Sequence, residues 1–223
     1  MKQKTHDKVL KMSGRDCMQL RTISFKHTAQ FEVKGERSMP GFQFQETSIP
    51  NLLQITPLFA PDHRGFLSKT FEKSIFVEHG INIVPWEELR SCSRKGVLRG
   101  LHFQRRYSQD KLVQVLHGAA YDVAVDLRTG SETYGKWEGF YLTAENRQML
   151  YLPKDFAHGF LVLEDDTLLS YLCGDRYDPE SDGGIRWNDP QLAIHWPLEK
   201  VENVILSEKD SALPLLADYK SKV

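Results

Sequence analysis

Between Lys111 and Cys173 the chain breaks into short apolar runs, KLVQVLHG, YDVAVDL, KWEGFYLT, RQMLYLP, GFLVLED and TLLSYLC. They recur at roughly ten-residue intervals, the rhythm of a sandwich or barrel built from short antiparallel strands. In YDVAVDL the larger apolar residues Tyr121, Val123, Val125 and Leu127 alternate with Asp122, Ala124 and Asp126, which predicts a strand with one buried face. Upstream, NLLQITPLF and GFLSKTF are separated by Pro, Asp and Gly and carry the same strand-and-turn texture. KSIFVEHG predicts a short helix, and LSEKDSALPLL a second one begun by Ser207. No strand is followed by a glycine-rich phosphate loop and none alternates with long helices, which argues against a Rossmann fold. The expected fold is all-β with a few short helices.

A chain of 223 residues, 40% hydrophobic and 26% charged, can bury one substantial core. Residues 1–43 carry nine Lys or Arg against four Asp or Glu and no sustained apolar period, so they read as an N-terminal extension to a single domain over residues 44–223. A net charge of −1 leaves no basic footprint for nucleic acid. There is no apolar leader and no run long enough to span a bilayer, so no membrane partner and a cytoplasmic location are expected. Cys17, Cys92 and Cys173 are odd in number and widely spaced, suggesting neither a disulfide framework nor a CxxC metal site. Reduced thiols are expected, with Cys173 in the core.

The stretch GVLRGLHFQ, residues 96–104, offers one histidine, His102, beside Arg99 and upstream of Lys111. A lone base among anion-binding cations suggests proton abstraction from a phosphorylated substrate, although an isolated histidine in a strand also suits a core position satisfied by a carbonyl. Taken with KLVQVLHGAAYDVAVDLR, TYGKWEGFYLTAENRQMLYLPKDFAHGFLVL, YLCGDRYDPE, IRWNDPQLAIHWPL and LSEKDSALPLL, it resembles the dTDP-4-dehydrorhamnose 3,5-epimerase family from about Thr47 to Leu216.

That resemblance implies a double-stranded β-helix, the cupin type of jelly roll, paired into homodimers through exchanged N-terminal strands. It implies a nucleotide-linked 4-keto-6-deoxy sugar as substrate, whose ketone acidifies the hydrogens on C3 and C5. Inversion then needs a base, an acid on the opposite face and something to hold the enolate, with neither metal nor cofactor. By the resemblance His102 is the base and Asp210 the carboxylate that fixes its tautomer; Ser207 and Asp210 also fit a helix capping box. Tyr171 matches the acid on the far face, since a phenol with an ordinary pKa of about 10 donates rather than accepts at neutral pH; in its absence an inward-facing strand aromatic is the ordinary reading. Lys111 matches the cation near the C4 oxygen, although a lysine that begins a strand is often solvated. His158, in FAHGF, matches a second active-site histidine. Arg99 and Arg64 match pyrophosphate contacts suited to the guanidinium fork, Arg64 acting across the dimer. Tyr177 matches a substrate-facing tyrosine, with packing as the competing role.

Two departures bear on the nucleotide. The family usually places Glu after RGFF and a Gln-x-Asn-x-Ser run further on, where this chain has Lys69 in RGFLSK and Glu87, Glu88, Leu89, Arg90 and Ser91. Lys69 with Glu87 reverses the donor and acceptor pattern expected around thymine, so a CDP-linked sugar is an alternative, against both residues being simply solvated. A metal-dependent cupin enzyme is a second alternative, but the HxH pair it commonly uses is incomplete because Gln104 stands two beyond His102. A non-catalytic binding module would have no use for His102, Asp210, Tyr171 and Lys111 together.

Overall fold

The computed structural model describes residues 41–219. The strands are β1 (Gln43–Glu46), β2 (Leu53–Thr56), β3 (Leu58–Asp62), β4 (Gly65–Lys69), β5 (Glu87–Ser93), β6 (Leu98–Gln104), β7 (Lys111–His117), β8 (Ala119–Asp126), β9 (Trp137–Thr143), β10 (Met149–Leu152), β11 (Phe156–Val162), β12 (Thr167–Cys173) and β13 (Asp182–Gly184). Helix α1 (Lys73–Glu78) and helix α2 (Glu208–Ser211) fall where the sequence predicts them, and Ser207 caps α2 by accepting a hydrogen bond from the Asp210 amide. No helix among the described residues is long and apolar enough to cross a membrane. The expected extension lies outside the described residues except for its last three, and Gln43 already opens β1.

Two antiparallel sheets face each other, one ordered β1-β2-β10-β7-β12-β5 and the other β13-β6-β11-β8-β9, with β3 and β4 forming a separate hairpin. From β5 to β12 the chain passes repeatedly from one sheet to the other, the double-stranded β-helix expected from the sequence. Val113, Val115, Leu150 and Leu169 of the first sheet meet Ala124, Leu142, Phe160 and Val162 of the second in the central layer. Outside the second sheet, Ile185, Leu192, Trp196 and Leu216 from the C-terminal segment cover Leu98, Leu101, Val123 and Val125. Outside the first, Phe76 of α1 with Ile81 and Ile83 covers Ile55, Leu112 and Met149.

This layering overturns the expectation that YDVAVDL has one buried face. All of β8 is buried. Its larger apolar residues, Tyr121, Val123 and Val125, face the C-terminal covering layer, while Asp122, Ala124 and Asp126 face the interior between the sheets. The alternation of apolar and polar residues here separates two kinds of interior. A buried carboxylate must be hydrogen-bonded, and Asp126 accordingly accepts from Arg128, Ser131 and Thr133.

One local irregularity sets the site. The pairing of β6 with β11 shifts between His158 and Phe160, where Gly159 alone stands opposite Gly100 and Leu101. Gly100 has φ +111, and a Cβ there would lie 2.6 Å from both Gly159 Cα and the His158 carbonyl oxygen. Glycine on both strands lets the backbones close, and the shift puts Arg99 and His102, three residues apart, on the same cavity.

Candidate active site

At one end of the interior the sheets leave a cavity of about 270 Å³. The second sheet contributes Arg99, His102 and Gln104 from β6 and His158 and Phe160 from β11; the first contributes Lys111 from β7, Tyr171 from β12 and Leu89 from β5. Gln109, Tyr177, Asp182 and Lys209 close its rim. His102 and Tyr171 therefore stand on facing sheets, across the cavity from each other. Lys111 is paired with Cys173, two residues beyond Tyr171, so the lysine and the tyrosine share one inward face.

His102 is one third exposed and its Nε2 lies 2.5 Å from Asp210 Oδ1. The other carboxylate oxygen accepts from Ser207 Oγ at 2.7 Å. Burial works against ionisation of Asp210, but the bonds from His102 and Ser207, together with the Gly100 backbone, outweigh it and hold the carboxyl below its ordinary range. An ionised carboxylate on Nε2 keeps the proton there and leaves Nδ1 as the basic nitrogen. Asp210 thus lies in the capped first turn of α2 and hydrogen-bonds His102 from there, so the two placements are compatible.

His158 sits opposite His102 in the β6–β11 ladder, on the strand between β6 and β8. Its Nε2 meets both oxygens of Asp122, at 3.0 and 2.9 Å, and both residues are buried. The site thus holds two histidine–carboxylate pairs side by side. Lys111 is half-buried; desolvation lowers its pKa, against the pull of Cys173, Asp182, Asp122 and Glu87. Buried beside it, the Cys173 thiol is pushed up to about 11 by desolvation despite the lysine, and stays protonated at neutral pH. Tyr177, at the exposed rim, donates from its hydroxyl to Asp182 Oδ2 at 2.9 Å, and Lys209 pairs with the same oxygen.

The structure thus brings Arg99, His102, Lys111, His158, Tyr171 and Tyr177 to one cavity, with Asp210 directly behind His102. It does not bring Arg64 or Lys69 there. Both lie on the β3–β4 hairpin, where Asp62 holds the Arg64 guanidinium and Glu72 holds the Lys69 ammonium. Glu87 stands one layer back and accepts from Gln109 Nε2 at 2.9 Å, so it meets the cavity only through that amide. Sequence reasoning missed Asp122, Gln109, Asp182 and Lys209. Asp122 carried a signal, a charge on a strand that proves wholly buried, whereas Asp182 in SDGG reads as an ordinary turn. Among the described residues no three His, Cys, Asp or Glu side chains converge as a metal-ligand set.

Residues 46–218 match the profile of the dTDP-4-dehydrorhamnose 3,5-epimerase family. The chain belongs to this family. It is 48% identical over 172 residues to the dTDP-4-dehydrorhamnose 3,5-epimerase of Methanothermobacter thermautotrophicus, covering 77% of this chain and 93% of that one. The Escherichia coli enzyme of the same name is 49% identical over 170 residues, covering 75% and 90%. Among solved structures, the dTDP-6-deoxy-D-glucose-3,5-epimerase of Legionella pneumophila, in complex with dTDP-4-keto-L-rhamnose, is similar with a TM-score of 0.78. It is 45% identical, covering 80% of this chain and 95% of that chain.

Proposed function

We propose that this protein is an isomerase that inverts C3 and C5 of a dTDP-linked 4-keto-6-deoxy sugar, converting it to the 4-dehydrorhamnose form used in deoxysugar biosynthesis. The observation that carries the reading is the placement of the His102–Asp210 pair and Tyr171 on facing sheets of one cavity, with Lys111 beside Tyr171 on the same wall.

In this reading His102 Nδ1 removes the proton from the carbon beside the C4 ketone, and Asp210 stabilises the imidazolium that results. The Lys111 ammonium donates to the C4 oxygen as it gains enolate charge; in a desolvated site that interaction is stronger than in water. Tyr171 delivers a proton to the opposite face of the same carbon, and exchange with water restores both side chains. A second round inverts the other carbon. His158, held by Asp122, orients the sugar hydroxyls, while Arg99 and Tyr177 face the pyrophosphate and nucleotide at the mouth. Lys69 and Glu87, which suggested a cytosine base, are each engaged by neighbours of their own chain, and the family relatives favour thymine.

The same reading includes a homodimer with exchanged N-terminal strands. Phe66 and Leu67 on the β3–β4 hairpin are 64% and 65% exposed beside Arg64, so the hairpin suits insertion into a partner, where Arg64 reaches that partner's cavity. A cytoplasmic location fits the two described cysteines, Cys92 and Cys173, which are unpaired thiols. The test is incubation in deuterated water with dTDP-, CDP- and GDP-linked 4-keto-6-deoxy sugars, with NMR locating the label. Label at C3 and C5 of the dTDP sugar is expected; label at one carbon only, or a preference for the CDP sugar, contradicts the assignment.

A further inference from the structure

We propose that Gln104 is a positioning residue that sets the substrate-binding rim of the cavity by fixing Tyr177, an inference that rests on the functional reading above. Gln104 follows His102 by two residues on β6 and so points into the same cavity, where it is buried to 7% exposure. Its amide makes three hydrogen bonds. Nε2 donates to the Tyr107 carbonyl at 2.8 Å and to the Arg176 carbonyl at 3.0 Å, and Oε1 accepts from the Asp178 N–H at 2.7 Å.

The pattern has only one satisfied orientation. Turned over, the amide would set its oxygen against two carbonyl oxygens and its NH2 against an N–H. The two backbone groups on the second loop belong to residues 176 and 178, so Gln104 grips the chain on both sides of Tyr177. The first loop is thereby joined to the second, since Tyr107 precedes the start of β7 and carries the Arg176 guanidinium over its ring at 4.0 Å. The other links between these loops include the Arg105 N–H to the Ser181 carbonyl, Ser181 Oγ to the Arg106 carbonyl, Gln109 Nε2 to the Asp175 carbonyl and the Arg106 pairs with Asp178 and Glu180. Of these, only the Arg106–Asp178 pair reaches residues 176–178, and its guanidinium is half exposed and therefore weakly restraining. Gln104 is a buried polar link with fixed geometry, and such a group rigidifies what it joins.

Tyr177 itself is 53% exposed and is otherwise held at its hydroxyl by Asp182. Its ring position over the cavity thus depends on the backbone that Gln104 holds, whereas His102, Lys111 and Tyr171 are fixed by strand ladders. Disturbing Gln104 should accordingly weaken substrate binding more than it slows proton transfer.

The test is a double-mutant cycle on the full chain with Gln104→Glu and Tyr177→Ala, reading KM and kcat with the dTDP-linked 4-keto sugar. Glu has the length of Gln but no donor, so its carboxylate would oppose two carbonyl oxygens. The expected result for Gln104→Glu is a KM raised about tenfold or more with kcat within about threefold. In the Tyr177→Ala background the same change should add little, because the residue it positions is gone. If Gln104→Glu does not fold, Gln104→Met, uncharged and of similar length, is carried through the same cycle. An unchanged KM in a folded variant, a loss confined to kcat, effects that simply multiply in the double mutant, or failure of both variants to fold would each overturn the proposal. Wild-type protein with no activity on the sugar would instead defeat the functional reading, so the two failures are distinguishable.

Discussion

Asp210→Asn tests the base most directly, because it keeps the shape of the site and removes only charge and proton preference. In the proposed mechanism the imidazolium–carboxylate pair forms fully only after His102 has taken the substrate proton, so its loss falls on the transition state. A hydrogen bond to a charged group contributes about 1.5–3 kcal/mol; at 1.36 kcal/mol per tenfold, losing about 2–3 kcal/mol slows the reaction about 30- to 150-fold. The geometry adds a second penalty. Ser207 Oγ accepts from the Asp210 N–H and donates to Oδ2; if it keeps donating, the asparagine oxygen stays on Ser207 and the NH2 turns toward His102 Nε2. That selects the tautomer with the proton on Nδ1, where the basic nitrogen should be. In serine proteases the analogous wrong tautomer lowers kcat about 10⁴-fold, so a loss of about 10³- to 10⁴-fold is expected here. The capping bond survives, so the melting temperature should move by no more than about 4 °C, the shift for roughly 1 kcal/mol in a domain of this size. The assay is deuterium wash-in at C3 and C5 followed by NMR, with a thermal melt on the same sample. A folded Asp210→Asn variant that exchanges within about fivefold of wild type would refute the base assignment. Asp210 also makes a pH signature. Its folded pKa is lowered, so its contribution to stability is complete above the unfolded-state value near 3.9 and fades as pH falls through the lowered value; the stability difference between wild type and Asp210→Asn should close in acid.

In the proposed mechanism Lys111 must be protonated to hold the enolate, and burial lowers its pKa, so the alkaline limb of kcat/KM should fall below the 10.5 of an ordinary lysine. In Lys111→Arg that limb should move upward even though the rate is reduced, because guanidinium stays charged; a limb that does not move assigns the titration to another group. Tyr171→Phe should leave proton removal faster than inversion, seen as a raised ratio of deuterium wash-in to epimerised product; equal loss of both would end the assignment of Tyr171 as the acid. Gly100→Ala places a Cβ 2.6 Å from two backbone atoms at a φ of +111, for which overpacking and strain together suggest about 3–5 kcal/mol. Gly80→Ala has positive φ but open space around it and should cost only about 1 kcal/mol. Thermal melts of the two variants separate the close approach from φ strain, and equal shifts would show that the approach of β6 to β11 at Gly100 is not tight.

How much was legible in the sequence depended on whether a residue's role followed from its neighbours along the chain or only from its neighbours in space. The strands were legible because apolar runs and turn residues are local, and Ser207 announced α2 because a cap acts within three residues. His102, Lys111, Tyr171 and Asp210 were legible only as matches to family motifs; their spacing along the chain, up to 108 residues for the hydrogen-bonded pair, carries no geometry. YDVAVDL misled because alternation distinguishes two faces without saying which meets water. Both faces are buried in a strand with a second sheet on one side and a covering segment on the other, and only then is the charge at Asp122 recognisable as part of the site. Arg64 and Lys69 failed to join the cavity for a different reason. They sit on a hairpin outside both sheets, so within one chain nothing carries them to it.

The arrangement of the interior explains why this fold suits a reaction with no net change in oxidation or bonding partners. Inversion requires two proton-transfer groups that do not touch each other, since a base hydrogen-bonded to its own acid would exchange protons with it and leave the sugar unturned. Facing sheets stack about 10 Å apart, which leaves room for a sugar ring between His102 on one and Tyr171 on the other. The same spacing keeps each group answerable to a different neighbour: His102 to Asp210 behind its own sheet, Tyr171 to the aromatic edge of His158, whose ring centroid lies 6.5 Å away. Widening the gap would strand one face of the ring, and closing it would join the acid to the base. The side chains packed between the sheets, Val113, Val115, Leu150 and Leu169 against Ala124, Leu142, Phe160 and Val162, hold that gap, while the close approach of Gly100 to Gly159 within the second sheet sets Arg99 and His102 on the wall that faces Tyr171, so a single methyl group at Gly100 would disturb the His102 wall.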